Sequence, residues 1–447
     1  MKDSGIEWLG EVPEGWTIKR FKSVAKTLRK GNGITKDEVF ADGEIACIRY
    51  GEIYSRYGFA VRKCVSRTNR SCVVDPVYVE RGDILFACTG ELVEEIGKNI
   101  LYDGSDPCIA GGDILVARHN EDPGFLNYYL NCHSSQFQKS RGKAKLKVVH
   151  ARTSDIENIV VLLPPPVEQR KIAIFLDRAC AKIDEIVAGT KQTIEEYKAW
   201  KASLIFEAVT GKCRIENGKC RMGGRKMRDS GIPWLATVPE EWSFLPLKQV
   251  FSFSKGLNIT KADLTDKGVP VVSYGQIHSR NNTGTHLLDS LLRFVAETYW
   301  KSDPDSRLQE NDFVFADTSE DLEGLGNCAF IDRDERVMAG YHTLVLRPKI
   351  MACYKYLAYL FKSDCWRRQI REIAYGIKVY SLSQRILRQC SVVLPPLQEQ
   401  QYIADYLDKK CAAIDRVIAE KEALIADLEA YRKSLIFEVV TGKREVS

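Results

Sequence analysis

Residues Asp3–Trp16 read DSGIEWLGEVPEGW, and residues Asp229–Trp242 read DSGIPWLATVPEEW. Two runs this alike in one chain are not a chance event, and a repeat of this kind governs the architecture before any local motif is weighed. Working outward, KGNGITK at Lys30–Lys36 returns as KGLNITK at Lys255–Lys261, and YGEI at Tyr50–Ile53 returns as YGQI at Tyr274–Ile277. GDILFACTGE, ending at Glu91, pairs with NDFVFADTSE, ending at Glu320, and AGGDILVAR at Ala110–Arg118 pairs with AGYHTLVLRP from Ala339. The strongest likeness closes each half: LPPPVEQRKIAIFLD at Leu163–Asp177 against LPPLQEQQYIADYLD at Leu394–Asp408. Each then runs on to a near-identical tail, SLIFEAVTGK at Ser203–Lys212 and SLIFEVVTGK at Ser434–Lys443. The chain is thus written as variable block, uniform segment, variable block, uniform segment.

The uniform segments carry apolar and small residues in alternating steps of four and three, the spacing of a coiled-coil seam. In the first copy this seam runs through Ile172, Leu176, Ile183, Ile186, Tyr197 and Leu204, and in the second through Ile403, Leu407, Ile414, Val417, Leu424, Leu428 and Leu435. Each segment is expected to be one helix of about 40 residues, roughly 60 Å long at 1.5 Å per residue. Prolines stand just before the helix start, where a missing N–H costs nothing, and Thr-Gly supplies a stop. Helices this amphipathic need a partner. Dimerisation between chains is the plain alternative, but the internal duplicate favours an intramolecular antiparallel pair holding the blocks at opposite ends. Lys212–Arg228, Gly-rich and strongly basic, reads as a flexible linker. The expected domains are 1–163, 164–211 (helix), 212–228 (linker), 229–394 and 395–443 (helix).

Composition sets the limits around this reading. At 447 residues, with 45% hydrophobic and 28% charged residues, the chain exceeds one ordinary core and is too apolar to be disordered as a whole. It lacks a run of apolar residues long enough for a membrane span and opens without the layout of a signal peptide, so a cytoplasmic protein with no membrane partner is expected. A net charge of +5 permits nucleic-acid binding without arguing for it. The 14 cysteines show no C-x-x-C pair, and free thiols are the simplest expectation; no metal ligand set stands out.

Both blocks mix strand-like runs such as GDILFACT with helical ones such as FLNYYLNCHSSQFQKS, so each is expected to be α+β. Contact candidates sit in the shared loops: Thr35, Lys36, Tyr50 and Glu52, echoed by Thr260, Lys261, Tyr274 and Gln276. Late in each block basic residues gather, Arg141, Lys143, Lys145 and Lys147 in the first and Arg367, Arg368, Arg371 and Lys378 in the second. Such clusters neutralise phosphates, although a charge run is more often a solvated face. Thr89 with Glu91, and Thr318 with Glu320, are placed to reach base edges, since a carboxylate accepts from cytosine N4; a turn or cap is an equal reading, as core aromatics are for Tyr50 and Tyr274. TGK at Thr210–Lys212 lacks the remainder of a P-loop, and no nuclease, helicase or methyltransferase signature accompanies it.

The SGI, W, L, VP and W spacing, GDIL, the LPPPVEQ and LPPLQEQ lead-ins to long helices and the two-copy layout together resemble the specificity subunit of Type I restriction–modification enzymes. The likeness spans nearly the whole chain. It implies two target-recognition domains separated by an antiparallel coiled coil, each reading one half of a split, asymmetric double-stranded DNA site. It further implies docking of two methyltransferase subunits, addition of ATP-dependent restriction subunits, and no cofactor or active site of the chain's own, the methyl donor binding the methyltransferase. The alternative is a coiled-coil protein-interaction scaffold. Two departures stand out: NDFV for GDIL, which points to a different turn at Asn311, and Lys410 and Lys421, which put charges on the second seam.

Overall fold

The computed structural model describes residues 1–143, 149–216, 218–374 and 379–446. They form two compact units, one of Met1–Lys191 with Glu422–Ser447 and one of Gln192–Lys421. The two repeated segments are helices, Pro166–Val209 and Leu397–Val440, each of 44 residues. Each unit therefore holds a part of each long helix.

In the first unit a five-stranded sheet has the order Ala25–Lys30, Ile114–His119, Ile84–Ala87, Asn99–Tyr102, Ala60–Val61. Alternate residues of its central strand face opposite ways, as the pleat requires. Ile84 and Phe86 pack into a core shared with the Pro123–Asn131 helix and the start of the first long helix, whereas Leu85 and Ala87 pack toward a four-stranded sheet containing Ile45–Ile48 and Cys108–Ala110. The second unit repeats the plan. Phe313 and Phe315 of the strand Phe313–Ala316 enter the helix-facing core, and Val314 and Ala316 enter the other. The turn at Asn311 is not different: Asn311 takes a φ of 74° where Gly82 takes 98°, and asparagine tolerates this left-handed region better than other side chains.

The lead-in motif has a structural task in both copies. Gln169 is buried and joins the backbone of Pro164 and Asp122, while Gln400 joins Pro395 and Cys353 in the same way. Glu168 accepts from the Trp16 indole and Glu399 from the Trp242 indole, both at 3.1 Å. A Cβ on Gly442 would collide with Pro13 and meet Trp16, and one on Gly211 would collide with Pro239 and meet Trp242; both glycines are also left-handed, as helix stops often are. In the first unit the second helix's end thus lies near the first helix's start, and Arg432 reaches Asp184 at 2.5 Å. In the second unit the roles exchange, with Lys201 on Asp415 at 2.5 Å. This order of contacts is that of an antiparallel helix pair in each unit, and the pseudo-two-fold repeat extends to its ion pairs.

The seam departs in phase from a strict heptad. Ile186 and Leu424 are exposed at 41% and 45%, and Val187 and Ile425 turn inward in their place. The buried positions step from Leu176 to Cys180 and from Leu407 to Cys411, an added interval of four that a 3.6-residue helix favours over a fixed 3.5 repeat. Lys410 is consequently outside the seam, while Lys421 remains half-buried.

Two further expectations fail between the halves. The segment expected to be a flexible linker contains a hairpin, Cys213–Glu216 paired with Lys219–Met222, and Met227–Ile232 pairs with Leu235–Pro239. This pairing brings Cys213 and Cys220 within 5.5 Å between Cα atoms, and they form a disulfide rather than two free thiols. No helix of the described residues is long and apolar enough to cross a membrane.

Candidate nucleic-acid interface

Each block carries its cleft where strands end. In the first block the strand Ala25–Lys30 runs into Gly31, and the chain segment Ala110–Asp113 passes directly over it. A Cβ at Gly31 would collide with the carbonyls of Ala110 and Gly111; Gly256 meets Gly340 and Thr343 in the same way, so the glycine common to KGNGITK and KGLNITK permits this crossing. The short helix Tyr50–Ser55 supplies the opposite wall. The resulting cleft, about 890 Å³, is lined by residues that include Thr35, Lys36, Arg49, Tyr50, Glu52 and Asp113.

Four residues expected from sequence therefore converge, but their tasks differ. Thr35 caps a helical turn: its backbone N–H and hydroxyl both donate to Glu38, holding that carboxyl below its usual pKa through the backbone bond first and the hydroxyl second. Lys36 follows it, exposed and without an ion pair among the described residues. Tyr50 is 38% exposed at the helix start, so it is not a core aromatic. Glu52 is buried and already engaged, accepting from the Arg49 backbone and guanidinium at 3.0 and 2.9 Å and from Ser66 at 2.5 Å. Its oxygens organise the wall instead of facing a base.

The second block divides the corresponding region into two adjoining clefts of about 650 and 800 Å³, both bordered by His342. Tyr274, Thr318 and Glu320 line the larger. Tyr274 stands edge-on to Tyr341 and His342, with ring centroids 5.5 Å away in each case. Gln276 caps its own helix start by accepting from the Ser273 backbone. Thr260 donates to Asp263, lowering that carboxyl's pKa, chiefly through its backbone N–H. Thr260 and Lys261 are exposed beside the clefts but do not line them.

The late basic residues behave less uniformly. Lys143 is spent on Asp155 at 2.5 Å, and Arg371 on Asp364 at 2.5 Å and on the Glu323 carbonyl. Lys145, Lys147 and Lys378 lie outside the described residues. The strand after the first cluster pairs Val149 with Gly90 and His150 with Thr89, whose hydroxyl lies 3.0 Å from His150 Nδ1, leaving Glu91 exposed nearby. Thr318 pairs likewise with Ser381.

Sequence reading overlooked Asp113 and His342. They occupy matching places, are left-handed at φ 60° and 55°, and border the clefts of their respective blocks. Only the alignment of AGGD with AGYH signals them.

Similar proteins match the chain along nearly its whole length. The chain is 24% identical over 443 residues to the Type I restriction enzyme MjaVIII specificity subunit of Methanocaldococcus jannaschii, covering 97% of this chain and 94% of that one. Its fold matches a chain from a solved type I R-M system with a TM-score of 0.73 at 15% identity, covering 97% of this chain and 100% of that one. The HsdS subunit from Thermoanaerobacter tengcongensis matches at a TM-score of 0.54 and 15% identity, covering 99% and 100%. Residues 13–196 and 239–426 each match the family described as Type I restriction modification DNA specificity domain, and with two copies spanning most of its length the chain belongs to that family.

Proposed function

We propose that this chain is the DNA sequence-specificity subunit of a Type I restriction–modification complex. One recognition domain, residues 1–163, reads one half of a bipartite asymmetric site and the other, residues 229–394, reads the second half. Helices 164–211 and 395–443 set the unread spacer and dock two methyltransferase subunits, and restriction subunits join that assembly in the cytoplasm. Transfer chemistry belongs to those partners, and the methyl donor binds the methyltransferase. The observation that carries this reading is a common frame with unlike linings: both blocks place a cleft beside the same glycine crossing, yet Arg49, Glu52 and Asp113 line one where Tyr341, His342 and Asp317 line the other. Two unlike readers on one repeated scaffold recognise two unlike half-sites.

The test is long-read methylation sequencing of DNA from cells expressing this chain with its cognate methyltransferase subunit. A split, asymmetric motif with one fixed gap is expected. A purified complex that leaves no motif and binds DNA without sequence preference overturns the reading in favour of a protein-interaction scaffold.

A further inference from the structure

The turn leading into the strand Ile114–His119 of the first block, and into Thr343–Pro348 of the second, holds one residue in the left-handed region. In neither copy is that residue glycine. Asp113 has a φ of 60° and His342 a φ of 55°, conformations that cost a side-chain-bearing residue energy and persist where the surroundings over-determine them. Those surroundings are duplicated. The Asp113 carbonyl accepts from Cys88 N–H at 2.8 Å and the His342 carbonyl from Asp317 N–H at 3.1 Å. Just before each turn, Gly111 N–H donates to Ile48 and Gly340 N–H donates to Val272. The backbone is therefore the same, but the side chain it presents to the cleft is not.

Both side chains are accessible, with 38% of Asp113 and 57% of His342 exposed. Both also end in one free acceptor. Asp113 Oδ1 meets Lys30 Nζ at 3.1 Å, which offsets the carboxylate's charge, and the second oxygen has no hydrogen bond among the described residues. His342 Nδ1 lies 3.2 Å from Asp317 Oδ1; a carboxylate only accepts, so Nδ1 carries a proton, and in that tautomer Nε2 is the acceptor. Tyr274 and Tyr341 flank that ring and limit its rotation.

We propose that Asp113 and His342 are base-reading residues of their respective blocks, each presenting a hydrogen-bond acceptor to an exocyclic amino group, adenine N6 or cytosine N4, in the major groove. This rests on the reading of the chain as a DNA specificity subunit. A strained residue held on a rigid turn suits direct readout, because the acceptor's position is fixed before DNA arrives.

The experiment compares methylation motifs made by the wild-type complex with those made by Asp113→Gly, Asp113→Ala, His342→Gly and His342→Ala complexes. Glycine keeps the left-handed turn and removes the acceptor; alanine removes it as well, at a modest cost in the turn. Discrimination at one base pair of one half-site is expected to fall about tenfold in the Asp113 variants, and at one base pair of the other half-site in the His342 variants, with the gap unchanged. Melting of each purified chain identifies any glycine variant that fails to fold, and the alanine variant, which also lacks an acceptor, then decides. Unchanged motifs from folded variants overturn the proposal, as does relaxation spread over both halves. A wild-type complex that yields no split motif instead defeats the functional reading on which the proposal stands.

Discussion

Trp16 donates its indole N–H to Glu168 at 3.1 Å, fastening the first turn of a long helix to the N-terminal loop of its own unit. The same bond joins Trp242 to Glu399, but there Arg225 also grips Glu399, at 2.6 and 2.8 Å, and Glu241 at 2.7 Å. The repeat is therefore unequal in its electrostatics: the second copy contains a largely buried guanidinium that depends on a carboxylate, and the first does not.

Removal of that carboxylate strands Arg225, whose side chain is only 9% exposed. Glu399→Ala is expected to cost about 3 kcal/mol, the range for breaking a buried pair from one side, and Glu168→Ala about 1 kcal/mol for a lost indole bond. Thermal melting of the two variants checks this. Equal losses would show that Arg225 finds sufficient compensation in Glu241 and solvent.

A second inequality lies in the cores. Lys139 is fully buried, donating to Gly97 O, Asn99 Oδ1 and Gln136 Oε1 at 3.0, 2.8 and 3.3 Å, whereas Ile370 occupies the matching place against Gly326. Burial pushes the Lys139 amine down to about 7, from 10.5. The unfolded chain then binds more protons than the folded one between those values, so stability rises with pH from about 7 toward 10. Below 7 both states are protonated and the penalty of burying the charge is fully present. Lys139→Met is expected to flatten this dependence, stabilising the protein at pH 6 and offering little at pH 9, where Asn99 and Gly97 lose a neutral partner. Melting temperatures across pH 6–9 supply the measurement; parallel curves for the two proteins would show that Lys139 does not carry the slope.

The repeat made the two blocks and the two helices legible in the sequence. Misreadings arose where one-dimensional signals compete. Ile186 and Leu424 satisfy a heptad on paper, but an α-helix gains on that repeat with each turn, and the register moved to Val187 and Ile425. Basic, Gly-rich composition suggested a linker at Lys212–Arg228, although Asn217-Gly218 between two alternating runs is itself a hairpin signal. Glu52 was legible as a loop carboxylate, but only folding shows that Ser66, remote in sequence, occupies it. Asp113 and His342 were not legible because, although Asp and His are enriched at positive φ, neither residue type marks such a turn as firmly as glycine does.

Lys36 and Lys261 follow the capping threonines in equivalent turns and are exposed. If they contact phosphates, Lys36→Ala and Lys261→Ala weaken binding evenly across sequences and leave the methylated motif intact. Each should also lower the slope of log affinity against log salt by about 1. Titration of the complex against specific and permuted duplexes at several salt concentrations tests this. A base change in the motif would instead make either lysine a reader.

The paired ion bridges, Asp184 with Arg432 and Asp415 with Lys201, bracket a stretch of helix that can be shortened without touching either one. Deleting Val187–Thr193 together with the matching Ile418–Leu424 removes two turns from each helix, preserves the phase of the buried positions on both sides and keeps both bridges in register. At 1.5 Å per residue the cut is about 10 Å, or about three base pairs at 3.4 Å each. The methylated motif is expected to keep both half-sites and lose about three unread positions between them. Replacing residues 1–162 with another recognition block has the complementary outcome, one half-site exchanged and the gap retained. A deletion that altered the half-sites while sparing the gap would mean that the spacing is fixed by the docked subunits and not by these helices.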